Sequence, residues 1–256
     1  MIGSFDQAAG LRRMFGADQG SALAALTCGA AAARWLARQL HERARIGERL
    51  LVLEESSAYG NLADQLGVPT RFDLLQAIEG HVPLASSLVR AESGLTLLPV
   101  SRAAQLIGRE RMLGQRAVEE VRQLYVGADV TIIHASGHDA ASPSSLWRAG
   151  CGRLLVVEPR IEAVTQAYAT LKKMQATAVT GPMWLAMTGN GSLEGYELVA
   201  NLQGLAWRQL GIELRRVEHV GQALANPAGA QGDFIDRLRD AAAGLAPRAA
   251  ATAAWA

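Results

Sequence analysis

The sequence predicts an α/β fold: a doubly wound, mostly parallel β-sheet with helices on both faces. Three observations predict it. Short apolar runs alternate along the chain with amphipathic helical patterns. The runs are apolar throughout, which is typical of parallel strands that are covered on both faces. Finally, a chain of 256 residues that is 50% hydrophobic can bury the core of one large domain.

Each predicted strand is a short apolar run, and each predicted helix carries good helix formers at amphipathic spacing. Strands are expected at residues 23–27, 50–53, 95–100, 130–133, 154–157 and 184–187. Helices are expected at residues 30–45, 108–125, 161–174, 193–210 and 234–243. A short N-terminal helix within residues 1–18 should precede the α/β domain of residues 19–245, and residues 246–256 should form a frayed tail.

The composition bounds the partners and the compartment. A formal charge of +1 gives no sequence-wide attraction for nucleic acid, so no nucleic-acid partner is expected. Cys28 and Cys151 lie in apolar surroundings without metal-ligand spacing, which predicts free thiols in a reducing compartment, the cytoplasm. No window is long and apolar enough to span a bilayer. The C-terminal stripe of Phe234, Ile235 and Leu238 leaves a peripheral contact with the inner membrane or cell pole open, although docking on the core is at least as well supported.

The segment ahead of the first predicted strand has the pattern of a short helix. Ala8, Leu11 and Phe15 fall at i, i+3 and i+7 and form one narrow apolar stripe. Ser4 followed by Gln7 also fits a capping box. From spacing alone, a helix start is therefore the simplest interpretation of Gln7.

The string at residues 6–13, Asp-Gln-Ala-Ala-Gly-Leu-Arg-Arg, resembles the N-terminal D-Q-A-x-x-L-R signature of the FlhG/FleN-type flagellar-number regulators. These regulators are a branch of the MinD/ParA-type P-loop ATPases. Residues 154–174 are similar to the same family's strand, Glu-Pro turn and Thr-x-x-x-Ala-Tyr helix. The resemblance implies a MinD/ParA-like P-loop NTPase scaffold, a family whose members use ATP and Mg²⁺.

The phosphate-binding loop of that family is missing from this sequence. In the family, the first strand leads into K-G-G-x-G-K-S/T, whose backbone N–H groups and lysines hold phosphates. Here Gly29 is followed by four alanines and Arg34. The chain has only two lysines, Lys172 and Lys173, on one later predicted helix. Arg34 lacks the glycines that allow a close backbone approach, so a solvated helix face is its favoured role.

Two further positions agree with this loss. After the second strand, the family's acidic D-x-D-x-G-x-x-N pattern is replaced by a segment in which Glu54 takes the first acidic position and Ser56 the second. At the end of the fourth of the six predicted strands, His134 stands where an aspartate would hold Mg²⁺, and neutral imidazole is a poor Mg²⁺ ligand. The sequence therefore predicts a pseudo-ATPase with no bound cofactor or metal, whose degenerate site comprises Gly29, Arg34, Glu54, Ser56 and His134.

For two further groups of reactive side chains, residues 134–139 and the pair Glu54 and Glu55, the sequence favours a structural role over catalysis. Residues 134–139 contain the residue types of a hydrolase triad, but a triad converges from separate loops. A strand-end turn is expected there, and the His134→Ala substitution should be mild. Glu54 and Glu55 are adjacent on a strand, so at most one of them should face a cleft.

The resemblance also implies a partner, the signal-recognition-particle-type GTPase FlhF. In the family the N-terminal helix docks on that GTPase and stimulates hydrolysis. The implied role of Gln7 is to act in trans on the GTPase, with Asp6, Leu11 and Arg12 as contact residues. Two alternatives stay open: an active MinD/ParA-type ATPase with an atypical phosphate loop, and a scaffold for a different polar or secretion partner. A homodimer also stays open.

Overall fold

The computed structural model of the chain describes residues 21–57, 60–107, 109–137, 144–176, 182–189, 192–225 and 233–243. These residues form an eight-stranded sheet with helices packed on both faces. The predicted N-terminal helix of residues 1–18, with Asp6, Gln7, Leu11 and Arg12, lies outside the described residues, and so does the predicted tail.

Most of the strands lie at the apolar runs that predicted them. They are β1 (Ser21–Cys28), β2 (Leu50–Glu54), β3 (Val89–Arg90), β4 (Thr96–Pro99), β5 (Val130–Ser136), β6 (Gly152–Val157), β7 (Met183–Met187) and β8 (Leu214–Arg216). The spatial order is β3-β4-β2-β5-β1-β6-β7-β8. Only the β3–β4 pairing is antiparallel among the described strands, and the other pairings are parallel. The predicted doubly wound α/β fold is confirmed.

The described helices connect these strands. They are α1 (Ala30–Arg45), α2 (Leu62–Gln65), α3 (Leu74–Ile78), α4 (Leu84–Ser87), α5 (Ser101–Leu106), α6 (Arg111–Val126), α7 (Ser145–Ala149), α8 (Ile161–Ala176), α9 (Leu193–Leu205), α10 (Val220–Ala225) and α11 (Phe234–Ala242). A π-helical turn, Ala206–Leu210, extends α9 and ends at Gly211, whose φ of 66° is left-handed. The predicted helix at 193–210 is thus one α-helix with a π-helical end.

Two apolar layers hold the sheet between its helices. On one face, α1 and α10 pack through residues such as Leu36, Leu40 and Val220. On the other face lie α6, α8, α9 and α11. The hydrophobic spacing of each helix places one stripe against the sheet, and burial of that stripe drives the packing.

Helix α11 settles one alternative that the sequence left open. Phe234, Ile235 and Leu238 are buried in the core, and the Phe234 ring lies 5.2 Å from the ring of Tyr125 on α6. This apolar stripe therefore docks on the protein itself. Within the described part of the chain, no helix combines the length and the apolar character needed to cross a bilayer.

Two local predictions are corrected, and two short strands are added. The helix expected at 108–125 begins at Arg111, after the separate helix α5. Strands β3 and β8 were not predicted, because two and three residues make no recognisable apolar run. His134 lies inside strand β5 and not in a strand-end turn, since it pairs with Glu54 of β2 and β5 continues to Ser136 beside β1.

Candidate functional site

Three polar side chains meet inside the sheet near the carboxyl ends of its central strands. Thr27 of β1, Glu54 of β2 and His134 of β5 come from adjacent strands, and Glu54 is the direct neighbour of His134 in the β2–β5 register. His134 Nδ1 lies 2.7 Å from Glu54 Oε1, and its Nε2 lies 2.9 Å from Thr27 Oγ1. The three residues are 2%, 2% and 0% exposed. We call them the central polar network.

Both oxygens of the Glu54 carboxylate have hydrogen-bond partners within the protein. Its Oε1 also accepts the backbone N–H of Ser56 at 2.9 Å, and its Oε2 accepts the N–H of Leu62 at 2.9 Å. The second bond caps the amino end of α2. Two backbone donors and the facing imidazole compensate this buried carboxylate for the loss of water.

The order Thr27, His134, Glu54 is that of a nucleophile, a base and an orienting acid. A hydrolase, however, must expose its nucleophile to substrate. Thr27 is buried, so the network cannot present its hydroxyl to a substrate in solution. Of the residue types that suggested a triad in the sequence, Ser136 ends strand β5, whereas His138 and Asp139 lie outside the described residues. The arrangement therefore supports a structural role.

A second carboxylate lies at the amino end of helix α1. Glu158 follows β6, and its Oε2 accepts the backbone N–H of Ala31 at 3.2 Å. Its own N–H donates to the carbonyl of Cys28 at 3.0 Å, which fixes the turn beside β1. The first N–H groups of a helix are a natural anion site, and here a side chain of the same protein occupies it.

Gly29 makes this close approach feasible. Its φ is 94°, a conformation that other residues rarely adopt. A Cβ on Gly29 would lie 2.6 Å from Cβ of Glu158 and 2.7 Å from its Oε2. Arg34, the cation nearest in sequence, is exposed on α1, as the solvated-face prediction expects. Among the five predicted site residues, the structure thus brings together Glu54, Ser56 and His134, whereas Gly29 contacts Glu158 and Arg34 faces solvent.

Glu55 points away from the central polar network, as adjacent strand residues must. Its Oε1 accepts the hydroxyl of Ser144 at 2.5 Å, and the same hydroxyl accepts the N–H of Trp147, so Ser144 caps α7. Burial raises the pKa of Glu55 from 4.5 to about 8, although the Ser144 hydrogen bond acts in the opposite direction. The Glu55 carboxyl group therefore keeps its proton to a higher pH than an ordinary glutamate does.

Sequence reasoning missed three of the residues that build this region: Thr27, Ser144 and Glu158. Ser144 carries a usable signal, since a serine directly before a helical segment is a common cap. Thr27 and Glu158 carry none, because their partners lie 107 and 127 residues away in the chain. Both predicted cysteines are free thiols, with Cys28 buried and Cys151 partly buried.

Solved structures similar to this chain share one fold. The MinC:MinD cell division protein complex of Aquifex aeolicus is 18% identical over 86% of this chain and 94% of that chain, with a TM-score of 0.52. An ATP complex of a McdA variant from Cyanothece is 17% identical over 89% and 97%, with a TM-score of 0.52. A ParA family ATPase from Chlorobium tepidum is 12% identical over 91% and 94%, with a TM-score of 0.51. No family model and no curated protein matches the chain. The fold is that of the MinD/ParA-like P-loop NTPases.

Mg²⁺-ATP, the ligand that the resemblance implies, does not fit the described arrangement. A phosphate at the amino end of α1 would meet the carboxylate of Glu158, and two anions at one place repel. Glu54 and His134 are bonded to each other in the interior and offer no exposed ligand atoms. The described part of the chain also contains no group of three acidic, histidine or cysteine side chains placed to hold a metal ion.

Proposed function

We propose that this protein is a non-catalytic regulator of bacterial flagellar number and placement. It uses a MinD/ParA-like scaffold that no longer turns over ATP, and its N-terminal segment docks on and stimulates an FlhF-type GTPase. The proposal rests on the resemblance at residues 6–13 for the partner and on Glu158 for the loss of nucleotide turnover. Its place of action is the cytoplasm, and a peripheral position at the inner membrane or the cell pole stays open.

The position of Glu158 is the observation that carries the pseudo-ATPase assignment. P-loop ATPases hold phosphates through free backbone N–H groups and a lysine. At the amino end of helix α1, where the phosphate loop would lie, the N–H of Ala31 already bonds to Glu158. No lysine occurs in the chain before Lys172. One of the first N–H groups of the helix therefore has a partner from the protein itself. This supports a scaffold whose activity does not depend on a nucleotide switch.

Thermal unfolding with and without Mg²⁺-ATP tests this assignment. A ligand about a hundredfold above its Kd would add about 2.7 kcal/mol of stability, so a bound nucleotide would raise the melting temperature visibly. We expect no shift for the wild-type protein. A reproducible shift that Arg34→Met abolishes would instead favour the alternative of an active ATPase with an atypical phosphate loop.

Gln7 is the residue to which we assign stimulation of the partner. Its amide can both donate to and accept from an attacking water, as the water-positioning residues of other GTPases do. Asp6, Leu11 and Arg12 are assigned to docking. A capping role for Gln7 would contribute at most about 1 kcal/mol to helix stability, which separates the two interpretations.

Single-turnover GTP hydrolysis and a binding assay with an FlhF-type GTPase test the partner assignment. Gln7→Ala should sharply reduce stimulation while complex formation stays nearly intact. Leu11→Asp should abolish docking, because it places a charge in the interface. A peptide of residues 1–18 should stimulate hydrolysis by itself. Unchanged binding and hydrolysis after deletion of residues 1–16 would refute the assignment and favour a scaffold for a different polar or secretion partner.

A further inference from the structure

Helix α9 and its π-helical end carry much of the exposed apolar surface of the molecule. In the described part of the chain, eight large hydrophobic side chains are exposed, and four of them lie in this one segment: Leu193, Tyr196, Leu205 and Trp207. Leu193 is 78% exposed and Trp207 is 62% exposed. Large apolar side chains that cluster on a surface mark an interaction site, whereas scattered ones need no explanation. The segment therefore has the character of a docking surface.

The exposed residues form a second apolar face on a helix whose first apolar face already packs on the core. On the inner side, Val199, Leu202 and Ala206 are buried. The outer side should be polar if it faced only water. It instead carries a row of apolar and small residues, which we call the outer stripe: Leu193, Tyr196, Ala200, Gly204 and Trp207. At 3.6 residues per turn these five positions fall within about 80° of one another.

The order of sizes along the outer stripe suits a second copy of the same stripe in antiparallel orientation. In a two-fold pair centred at Ala200, this small side chain meets its own copy, so the two helices can approach closely. Each Leu193 then lies opposite Trp207 of the second copy, and each Tyr196 lies opposite Gly204. Large side chains thus meet small ones in the middle of the interface, and two large apolar side chains meet at each end.

The charges beside the outer stripe are complementary under the same symmetry. Arg208 reaches back over Gly204, since its Nη1 would lie 3.0 Å from a Cβ at that position. Glu197 precedes Gly204 by seven residues and therefore lies on the same side of the helix. In the antiparallel pair, the level of Gly204 is opposite the level of Tyr196 and Glu197. Arg208 of each copy consequently meets Glu197 of the other.

Both members of this pair are available for such a contact. Glu197 and Arg208 are exposed. Within the part of the chain that the structure describes, neither side chain takes part in an ion pair. A contact between copies would therefore break no existing salt bridge.

We infer that the outer stripe is the interface of a symmetric homodimer, in which two copies of α9 pack antiparallel about a two-fold axis at Ala200. Tryptophan, tyrosine and arginine are the residues that commonly dominate interface energies, and the symmetry uses each contact twice. The stripe is about 21 Å long at 1.5 Å per residue. A single helix pair of this length is a small interface, so we expect a Kd of about 1–100 µM.

The outer stripe contains none of the residues of the degenerate site, so the dimer needs no nucleotide. The inference does not depend on the flagellar assignment either. It can therefore be tested on the full-length protein alone.

Sedimentation velocity without nucleotide, at about 1 to 300 µM protein, measures the association. The wild-type protein should pass from monomer to dimer over this range. Ala200→Arg places two like charges together at the two-fold axis and should weaken association by about tenfold or more. Ala169→Arg is the matched control, because Ala169 is an exposed alanine inside helix α8 and outside the outer stripe. It should change the Kd by less than about twofold.

Two charge reversals distinguish a second copy of this chain from any other partner. Glu197→Arg and Arg208→Glu should each weaken self-association by about fivefold or more, because both symmetric ion pairs become contacts between like charges. An equimolar mixture of these two variants should regain the dimer. Every charged contact across the mixed pair then joins opposite charges, which a general loss of folding could not reproduce.

Four results would each overturn the inference. They are a wild-type protein that stays monomeric at about 300 µM, an Ala200→Arg variant that associates like wild type, equal losses in Ala200→Arg and Ala169→Arg, and a mixture of the two charge reversals that stays monomeric. Binding of a monomeric wild-type protein to phosphatidylglycerol vesicles that Trp207→Ser abolishes would assign the outer stripe to lipid and would also overturn it. None of these results bears on the assays with the GTPase.

Discussion

Replacing His134 by alanine should strongly destabilise the protein, because the imidazole is the centre of the central polar network. The side chain is 0% exposed and bridges Glu54 at 2.7 Å and Thr27 at 2.9 Å. Its removal leaves a buried carboxylate and a buried hydroxyl each short of a partner, at about 1–3 kcal/mol per group. It also leaves a cavity, and filling by neighbours is incomplete in a close-packed interior.

These contributions overlap, because Glu54 keeps its bonds to the N–H groups of Ser56 and Leu62. We therefore expect a total loss of about 3–5 kcal/mol in the free energy of unfolding. Domains of this kind are stable by about 5–15 kcal/mol. The variant should thus fold with a much lower denaturant midpoint. A mild effect is expected from a strand-end turn, but His134 belongs to a central strand, so a large effect is expected instead.

Urea unfolding followed by circular dichroism measures the effect. Thr27→Val keeps the shape and removes one hydrogen bond, so it should cost about 1–2 kcal/mol. His41→Ala on the exposed side of α1 is the matched histidine control, with a change within about 0.5 kcal/mol. If His134→Ala unfolds within about 1 kcal/mol of wild type, the reasoning that the network is structural fails. Loss of a measurable hydrolytic activity with the fold intact would contradict it equally.

Three further predictions follow from the contacts. The folded pKa of Glu55 is about 8 against an ordinary 4.5, so the native state holds an extra proton between these values and its stability should fall as pH rises through this window. Glu55→Gln should remove that slope in urea unfolding; equal slopes would contradict the assignment. Asp73 accepts Leu75 N–H at 2.9 Å and Ala103 N–H at 3.2 Å, and thereby caps both α3 and α5. Asp73→Ala should cost about 2–4 kcal/mol, whereas the exposed Asp236→Ala should cost under about 1 kcal/mol. Gly29→Ala should lower the melting temperature more than Gly47→Ala, because both have φ near 95° but only Gly29 would clash with Glu158; equal losses would show that the carboxylate does not approach so closely.

The long apolar runs explain why the centre of the sheet could be predicted. Strands β1, β2, β5 and β6 are buried throughout or nearly so, and helix α1 begins and ends at the predicted residues because its alanine-rich sequence has one apolar stripe. The edges of the sheet carry less of this signal. Strand β8 has one buried residue of three, so its pairing with β7 depends on tertiary contacts that no local pattern encodes.

The candidate site was predictable in its residue types but not in its bonding. The sequence places Glu54 and His134 in a degenerate metal site, because their positions relative to the predicted strands can be counted. It does not indicate that the two side chains bond to each other, since that contact needs the β2–β5 register and spans 80 residues. The same limit applies to Glu158, which follows β6. Its carboxylate accepts an N–H of helix α1, 127 residues earlier in the chain.

Two contacts at the degenerate nucleotide site also stabilise the fold. Functional sites commonly carry unpaired or strained groups at a cost in stability. Here Glu158 satisfies the end of α1, and His134 satisfies both Thr27 and Glu54. Removal of either contact would therefore cost stability without restoring the lysine-bearing phosphate loop. A single substitution such as Glu158→Gly should weaken the protein and still leave Glu54 bonded inward, so the loss of nucleotide chemistry that we propose is stabilised by the fold itself.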